Sequence, residues 1–345
     1  MQLGLSIYFT FKEKQILSLL HKAKDNGFKY IFTSLHIPEE DSSKYINKIK
    51  TCINECKNLN LFPIVDISPR VLKLLNIQEY KQLHDLGIEY LRLDFGFSYE
   101  EIKKLSQEFK LIFNASTFNI ETYEELSKLN IDFHNVYGCH NFYPKKYTGL
   151  SKEKVKKINQ RIHSYGMKTI GFVMGDDIKR GPLFEGLPTI EELRNEDVFY
   201  NALVLDKLNC DVVIVADFGL KDETFKQFKN YNDGYIEMRC KIDDKYNNFL
   251  NYIHHDRIDN SEYFIRSHES IYKYKIDYPI KAENTIERTI GDICISNELY
   301  LRYNGELEIT LKNLPADNRV NVVGKVERKY LEFIDEHLGI KLIKS

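Results

Sequence analysis

The first two thirds of the chain repeat one unit eight times: a short apolar strand, a brief loop and an amphipathic helix. The strands are rich in Val, Ile, Leu and Phe without clean alternation of polar and apolar residues, which is typical of strands buried on both faces. The pattern predicts strands at residues 3–9, 30–36, 61–68, 90–96, 111–117, 133–142, 168–175 and 212–219.

Eight strand–helix units in about 230 residues match the usual size of a closed (β/α)8 TIM barrel. An open doubly wound sheet is the alternative, and it would favour a glycine-rich phosphate-binding turn after an early strand. The chain contains no G-x-G-x-x-G motif. The predicted fold class is therefore α/β, with a closed barrel.

Helix boundaries carry recognisable signals. Three segments resemble capping boxes, in which a hydroxyl and a glutamate three residues later bind free backbone N–H groups of the first turn. They begin at Ser98, Thr122 and Thr189. Glycines that end helices are predicted at Gly27, Gly87 and Gly166.

The repeat of strand, loop and helix stops after residue 235. A chain of 345 residues also favours two domains. We predict a barrel domain at 1–235 and a smaller, mostly-β domain at 236–345. In the second, Asn304-Gly305 predicts a type I′ hairpin turn between strands 300–303 and 306–309. A strand at 319–326, a helix at 329–338 ended by Gly339, and a strand at 340–343 complete it.

Charge and composition limit the partners. The chain has 49 basic and 51 acidic residues, so no concentrated basic composition suggests a nucleic-acid partner. The sequence starts directly in a strand and has no long apolar run, so we expect no membrane association and a cytoplasmic protein. Six scattered cysteines do not suggest a disulfide framework, and we interpret Cys52 and Cys56 as helix packing residues rather than half of a metal site.

Chemistry in such barrels lies at the C-terminal ends of the strands. The sequence places a polar residue at or near every strand end: Ser6, Tyr8, Thr33, Ser34, Asp66, Arg92, Asp94, Asn114, Ser116, His140, Asn141, Asp176, Asp177 and Asp217.

Arg92 and Asp94 stand two residues apart, so their side chains share one face of a strand. They fit either an internal ion pair that orders the barrel mouth or a catalytic carboxylate whose pKa a cation lowers. His140 fits a strand-capping role and a substrate contact equally well.

The segment 179–189, after the seventh strand, contains two glycines and two prolines and predicts a shaped loop above the active face. It carries Arg180, suited to a phosphate or carboxylate, and Glu185. A helix starting at Thr189 would also favour an anion. The alternative is a structural lid with solvated charges.

Several motifs resemble the 6-phospho-N-acetylmuramidase (MupG-type) family across nearly the whole chain: IFTSL at 31–35, LRLDFG at 91–96, HNFYP at 140–144, TGL at 148–150, RGPL at 180–183, EGLPT at 185–189, IRS at 265–267, GDI at 291–293 and RVNVVG at 319–324. One departure is Lys146-Tyr147, where an Arg-Pro-like pair is expected, and it concerns substrate contacts more than chemistry.

The resemblance implies a barrel joined to a cyclophilin-like β domain. It also implies a cytoplasmic exo-glycosidase that cleaves N-acetylmuramic acid 6-phosphate from N-acetylglucosamine in recycled cell-wall disaccharides. Such a phosphosugar would be the small-molecule partner, and neither a metal nor a cofactor is needed. The oligomeric state stays open.

Glycoside hydrolysis uses two carboxyl groups that flank the bond, one of which keeps a proton. We predict Asp94 as the ionised member beside Arg92. Glu185, among apolar neighbours that would raise its pKa, is predicted as the proton donor, with Asp66 in reserve. Predicted substrate contacts are Arg92, Asn114, His140, Asn141, Arg180, Asp217 and, from a second domain that covers or borders the mouth, Arg266. Retaining and inverting outcomes both fit.

Two other functions fit the fold. A barrel aldolase or isomerase acting on a phosphorylated small molecule is one, although a Schiff-base enzyme needs a lysine inside a late strand. The one candidate, Lys168, begins the seventh strand at the wrong end. A non-catalytic sugar-binding or prolyl-isomerase-like protein is the other.

Overall fold

The computed structural model describes residues 1–35, 46–69, 72, 77–274, 276 and 278–345. The chain forms two compact units, Met1–Phe225 and Lys226–Ser345. This division falls within the helix Asp222–Asn232, whereas the predicted boundary at 235 follows that helix.

The first unit is a closed barrel of eight parallel strands in sequential order, with β8 pairing back to β1. The fold-class prediction is therefore confirmed. The strands are β1 Gln2–Ser6, β2 Tyr30–Ser34, β3 Phe62–Ile67, β4 Tyr90–Leu93, β5 Lys110–Asn114, β6 Val136–Cys139, β7 Lys168–Val173 and β8 Val212–Val215. The helices are α1 Glu13–Asp25, α2 Ile46–Asn58, α3 Lys81–Asp85, α4 Tyr99–Ser106, α5 Ile120–Lys128, α6 Lys152–Ser164, α7 Val198–Lys207 and α8 Asp222–Asn232. Predicted strand residue His36 lies outside the described residues.

Side chains that point into the barrel form layers, because every second residue of a strand faces the same side. A lower layer of aromatic rings includes Tyr30 and Tyr90, whose ring centroids are 5.5 Å apart. Above it, Phe32 packs edge-on against Phe172 at 5.2 Å. These apolar layers fill the barrel, so the polar residues next in each alternating series stand at its C-terminal mouth.

The helix-end predictions are confirmed in part. Ser98 forms a capping box with Glu101, and Gly27, Gly87 and Gly166 have positive φ. The prediction at Thr122 is wrong, because the Asn119 side chain accepts the Thr122 N–H and α5 starts earlier. Thr189 caps no helix either; only a three-residue 3-10 turn, Glu191–Leu193, follows it.

The second unit is a seven-stranded sheet in the order β10-β15-β9-β14-β12-β13-β11, mostly antiparallel. Its strands are β9 Tyr235–Ile242, β10 Ile253–His254, β11 Phe264–Arg266, β12 Asp292–Ser296, β13 Leu307–Thr310, β14 Val320–Val326 and β15 Gly339–Lys344, and a short helix, α9 His268–Tyr272, follows β11. A mostly-β second unit is thus confirmed, while its likeness to cyclophilin stays a prediction.

Two local predictions in this unit are wrong. Residues 300–303 belong to a 3-10 helix, Glu298–Tyr303, and Asn304 has φ −49° and ψ 125° before Gly305 at φ 87°, which is a type II turn. The predicted helix at 329–338 is reduced to the turn Leu331–Phe333. It ends there because the Asp335 carboxylate accepts the N–H groups of His337 and Leu338, each at 2.8 Å.

Within the described ranges, no helix is long and apolar enough to cross a membrane. All six cysteines lie in the described residues and are free thiols in buried positions. Cys52 and Cys56 pack on the buried face of α2, and burial raises the pKa of Cys52 to about 11. This agrees with their interpretation as packing residues.

Candidate active site

The barrel mouth carries a polar layer built from the last inward-facing residue of several strands. Alternation along β2 to β4 gives Tyr30, Phe32 and Ser34, then Ile64 and Asp66, then Tyr90 and Arg92. The same alternation places Asn114 after Ile112 and Asn141 after Tyr137 and Cys139. Five strands therefore bring Ser34, Asp66, Arg92, Asn114 and Asn141 to one mouth.

Arg92 forms an ion pair with Asp66 on the neighbouring strand. Its Nη1 lies 2.8 Å from Asp66 Oδ1, and both side chains are only 13% exposed. Burial alone would lower the pKa of Arg92, but the Asp66 carboxylate outweighs it and raises that pKa. Ser34 Oγ donates to the other carboxylate oxygen at 3.1 Å. Both oxygens of the Asp66 carboxyl group are thus engaged.

Asp94 directly follows β4, and the ion pair with Arg92, one of the two roles considered for these residues, is not formed. The charges of Arg92 and Asp94 attract each other only at longer range, and this attraction contributes to the raised pKa of Arg92. The Asp94 N–H continues the ladder to Ile67 O at 3.0 Å, which fixes the backbone. Within the described part of the chain, no side chain or backbone group hydrogen bonds the Asp94 carboxyl group, so it is available to a ligand.

Asn141 links the polar layer across the mouth. Its Oδ1 accepts Arg92 Nη2 at 2.8 Å and lies 3.5 Å from Asn114 Nδ2. Its backbone carbonyl accepts the Thr189 hydroxyl at 3.0 Å, and Thr189 Oγ1 in turn accepts the Phe172 N–H at 3.0 Å. These bonds explain why Thr189 is buried between strands instead of starting a helix.

Arg180, on the loop after β7, presents a cation at this end of the barrel. Its guanidinium carbon lies 4.5 Å from the centroid of the Tyr8 ring, a cation–π contact. Among the residues that the structure describes, no carboxylate pairs with this guanidinium and no acceptor hydrogen bonds it. An unneutralised Arg with its fork of donors suits a phosphate or carboxylate ligand.

Asp217 follows β8, but its side chain is fully buried and accepts backbone N–H groups. Its carboxylate binds Gly175 N at 3.0 Å and Arg180 N at 2.9 Å. Burial raises its pKa, against the opposing effect of these N–H donors. This environment gives no support to the predicted substrate contact, because the carboxylate is already occupied by the loop that carries Arg180.

His140 points away from the mouth. It alternates with the inward-facing Cys139 and Asn141, and its Nε2 lies 2.7 Å from Asn159 Oδ1 on α6. Burial lowers its pKa, so the imidazole is neutral, and the amide oxygen requires Nε2 to donate. Of its two predicted roles, the structural one fits this position.

Glu185 lies on the loop after β7 with a 40% exposed side chain, and its Oε2 is 2.7 Å from Lys146 Nζ. The hydrogen bond from Lys146 lowers the pKa of Glu185. The apolar setting expected from Leu183 and Leu187 is therefore wrong, because a lysine on the adjacent loop reaches the carboxylate. A lowered pKa does not suit a proton donor.

A buried clasp between the loops after β6 and β7 was not predicted from the sequence. Arg194 donates to both oxygens of Glu191, at 2.7 and 2.8 Å, and to the carbonyls of Tyr143, Glu185 and Gly186. The Glu191 carboxylate also accepts the N–H groups of Tyr147 and Gly149, each at 2.8 Å. The hydrogen bond from Arg194 lowers the Glu191 pKa to about 2.

Glu191 and Arg194 both fall in the segment after Thr189, where the sequence predicted a helix, and their spacing of three residues was the one signal for this clasp. One result of the clasp is that Tyr147 is 89% exposed at a positive φ of 66°. Such a conformation is rare for a bulky residue and is held by the bond from its own N–H to Glu191.

Of the other candidates, Asp176 has structural partners and Lys168 lies elsewhere. Asp176 accepts Lys221 N at 2.8 Å and Thr224 Oγ1 at 2.6 Å, and so caps the start of α8. Lys168 begins β7, at the end of the barrel opposite the mouth. In the described ranges, no group of three or more His, Cys, Asp and Glu side chains has an arrangement that would hold a metal.

Arg266 lies in the second unit, at the end of β11. Its Nε and Nη2 donate to the same oxygen of Glu306 at 2.9 and 2.7 Å, and its side chain is 20% exposed. A guanidinium that is already neutralised attracts an anionic ligand less than Arg180 does. The contact between Arg266 and substrate stays a prediction.

Comparison with known proteins places these residues in a family context. The profile described as "6-phospho-N-acetylmuramidase, N-terminal" matches residues 3–230, and the one described as "6-phospho-N-acetylmuramidase, C-terminal" matches residues 235–338. No protein with a curated description matches the chain.

Two solved structures resemble it along its length. A conserved protein of unknown function from Enterococcus faecalis is 29% identical with a TM-score of 0.82, over 100% of this chain and 97% of the other. An uncharacterised B. cereus protein is 27% identical with a TM-score of 0.78, over 99% of both chains.

Proposed function

The chain belongs to the 6-phospho-N-acetylmuramidase family, and on that premise we propose that it is an exo-acting glycosidase that releases N-acetylmuramic acid 6-phosphate from N-acetylglucosamine. The substrate would be a disaccharide from recycled peptidoglycan. The supporting observation is the contrast between Asp66, whose two oxygens are engaged, and Asp94, whose carboxyl group has no hydrogen-bond partner among the described residues.

We assign the two carboxyl roles from this contrast. Asp66 pairs with the Arg92 cation and accepts the Ser34 hydroxyl, and this setting suits the nucleophile or base. Asp94 is free to approach the leaving oxygen and suits the proton donor. Glu185 is the less suitable donor, because Lys146 lowers its pKa. The cation-tuned carboxylate expected at Asp94 is thus reassigned to Asp66.

The anionic groups of the sugar would be bound by Arg180. Its guanidinium has no counter-ion in the described residues, and a phosphate offers the planar fork two acceptor oxygens. Asn114 and Asn141 would hydrogen bond the sugar hydroxyls or the acetamido group. Arg92 acts mainly by holding Asp66.

A cytoplasmic location forms part of the proposal, because recycled disaccharides that carry a 6-phosphate would be met there. The six free thiols fit a reducing compartment.

The direct test is hydrolysis of 4-methylumbelliferyl N-acetylmuramic acid 6-phosphate and its unphosphorylated analogue by the purified protein. We expect fluorescence release from the phosphorylated compound and at least tenfold less from the other, since roughly 1.4 kcal/mol of phosphate binding gives that ratio. Release of N-acetylglucosamine from the natural disaccharide, followed by mass spectrometry, checks the aglycone. No turnover of either substrate contradicts the proposal.

A further inference from the structure

Three consecutive residues that follow β8 hold the surroundings of Arg180. The Ala216 carbonyl accepts the Tyr8 hydroxyl. Asp217 accepts two N–H groups of the loop after β7. Phe218 forms a two-way backbone pair with Ile178 of the same loop, at 3.3 and 3.0 Å. The segment that follows β8 therefore holds that loop in place.

These contacts meet at Arg180. Its backbone N–H is bound by Asp217 at 2.9 Å, and its guanidinium lies over the Tyr8 ring that Ala216 anchors. The loop packs tightly against this segment, because a Cβ added to Gly175 would stand 3.0 Å from the Asp217 Cβ and 2.7 Å from the Gly219 carbonyl oxygen. The residues that follow β8 thus position both the backbone and the guanidinium of Arg180.

Asp217 itself has no accessible surface and cannot touch a substrate. We propose that Asp217 is a positioning residue, whose carboxylate fixes the loop so that the Arg180 guanidinium stands ready for the phosphate. This inference rests on the proposed function, in which Arg180 binds the 6-phosphate.

A carboxylate is needed at this position because two N–H donors converge on it. Each oxygen accepts one of them, as the separate bonds to Gly175 and Arg180 show. An asparagine of the same shape offers one acceptor oxygen, and its amide NH2 would face the second N–H donor. Asp217→Asn therefore releases one loop anchor with almost no change in volume.

The test measures phosphate recognition separately from turnover. In Asp217→Asn we expect KM for the phosphorylated methylumbelliferyl substrate to rise about tenfold, the effect of one lost hydrogen bond, with kcat within about threefold. The inhibition constant of inorganic phosphate should rise in parallel. Hydrolysis of the unphosphorylated analogue should not change.

Asp176→Asn is the matched control. Asp176 lies on the same loop and its carboxylate accepts two hydrogen bonds, from Lys221 and Thr224, but none from the Arg180 or Gly175 N–H groups that bind Asp217. The preference for the phosphorylated substrate should stay at its wild-type value. An Arg180→Met background gives a second check, because Asp217→Asn should lower the preference no further there.

An unchanged preference in Asp217→Asn overturns the inference, and so does an equal loss on both substrates or in the Asp176 control. Where Asp217→Asn does not fold, Asp217→Glu displaces the carboxylate by one methylene and carries the same expectation. A wild-type protein without phosphate preference refutes the proposed function instead. Line broadening of inorganic phosphate in ³¹P spectra then still reports whether Asp217 controls an anion site at Arg180.

Discussion

Arg92 and Asp66 stand directly opposite each other on β4 and β3, and the register of the two parallel strands brings the guanidinium within 2.8 Å of the carboxylate. The pair occupies the layer above the apolar barrel core, and each of its side chains is only 13% exposed. The pair therefore engages one carboxyl group of the mouth, and Asp94 supplies the other.

Removing the Asp66 charge should destabilise the barrel and abolish turnover. Asp66→Asn leaves Arg92 without its counter-ion in a buried setting, which costs on the order of 3 kcal/mol. Adding Arg92→Met to that variant removes the stranded charge and should recover part of the loss without restoring activity. Urea unfolding checks the stability, and a double variant whose loss equals the sum of the two single losses would contradict the pairing.

The proton donor can be recognised by its leaving-group dependence. Asp94→Asn should lower kcat on the disaccharide by about 10²–10⁴-fold, the usual contribution of general acid catalysis. It should lower kcat much less on the methylumbelliferyl substrate, because that phenol leaves without protonation. Glu185→Gln is the comparison, and we expect a small and equal change on both substrates. If Glu185→Gln instead lost activity mainly on the disaccharide, and Asp94→Asn changed both substrates little and equally, the proton donor would be Glu185.

Phosphate selectivity should depend on Arg180. Arg180→Met should raise KM for the phosphorylated substrate by roughly 1.5–3 kcal/mol in binding terms, the value of a charge-assisted contact. Lys179→Met removes a neighbouring charge that lies 3.4 Å from Asn195 Oδ1, and serves as the control. Equal effects of the two variants on the ratio of phosphorylated to unphosphorylated turnover would reject a specific role for Arg180.

The Glu191–Arg194 clasp should make stability depend on acid pH. The folded-state pKa of Glu191 is about 2, below its ordinary 4.5, so its contribution is present above pH 4.5 and is lost as pH falls towards 2. The difference in urea midpoint between wild type and Glu191→Gln should therefore be large at pH 7 and shrink through that interval. Glu192→Gln, whose side chain is more exposed, should change little at any pH. A difference independent of pH would contradict the clasp.

The barrel could be predicted because its strands carry periodic apolar residues, and the mouth residues could be predicted because they end those strands. Strict use of the inward–outward alternation of side chains along a strand would also have predicted the direction of His140. Tyr137, Cys139 and Asn141 face inward, so His140 between Cys139 and Asn141 must face α6, and the sequence alone contains that information.

The ion-pair partner of a side chain on a neighbouring strand could not be predicted from the sequence of one strand. The spacing of Arg92 and Asp94 suggested a pair, but the register set Arg92 against Asp66. Loop residues were harder still, because Glu185 takes its charge environment from Lys146 and Thr189 takes its conformation from Phe172 and Asn141. These contacts depend on how two loops meet, and neither loop encodes that alone.

The clasp also limits how this barrel can be recombined with its relatives. Arg194 and Glu191 come from the segment after β7, yet they bind the carbonyl of Tyr143 and the N–H groups of Tyr147 and Gly149 in the segment after β6. A chimera with a crossover between residues 150 and 185 would join loops from different parents and leave the buried Arg194 without its matched carbonyls. Crossovers before β6 or after residue 194 would transfer both segments as one inherited block.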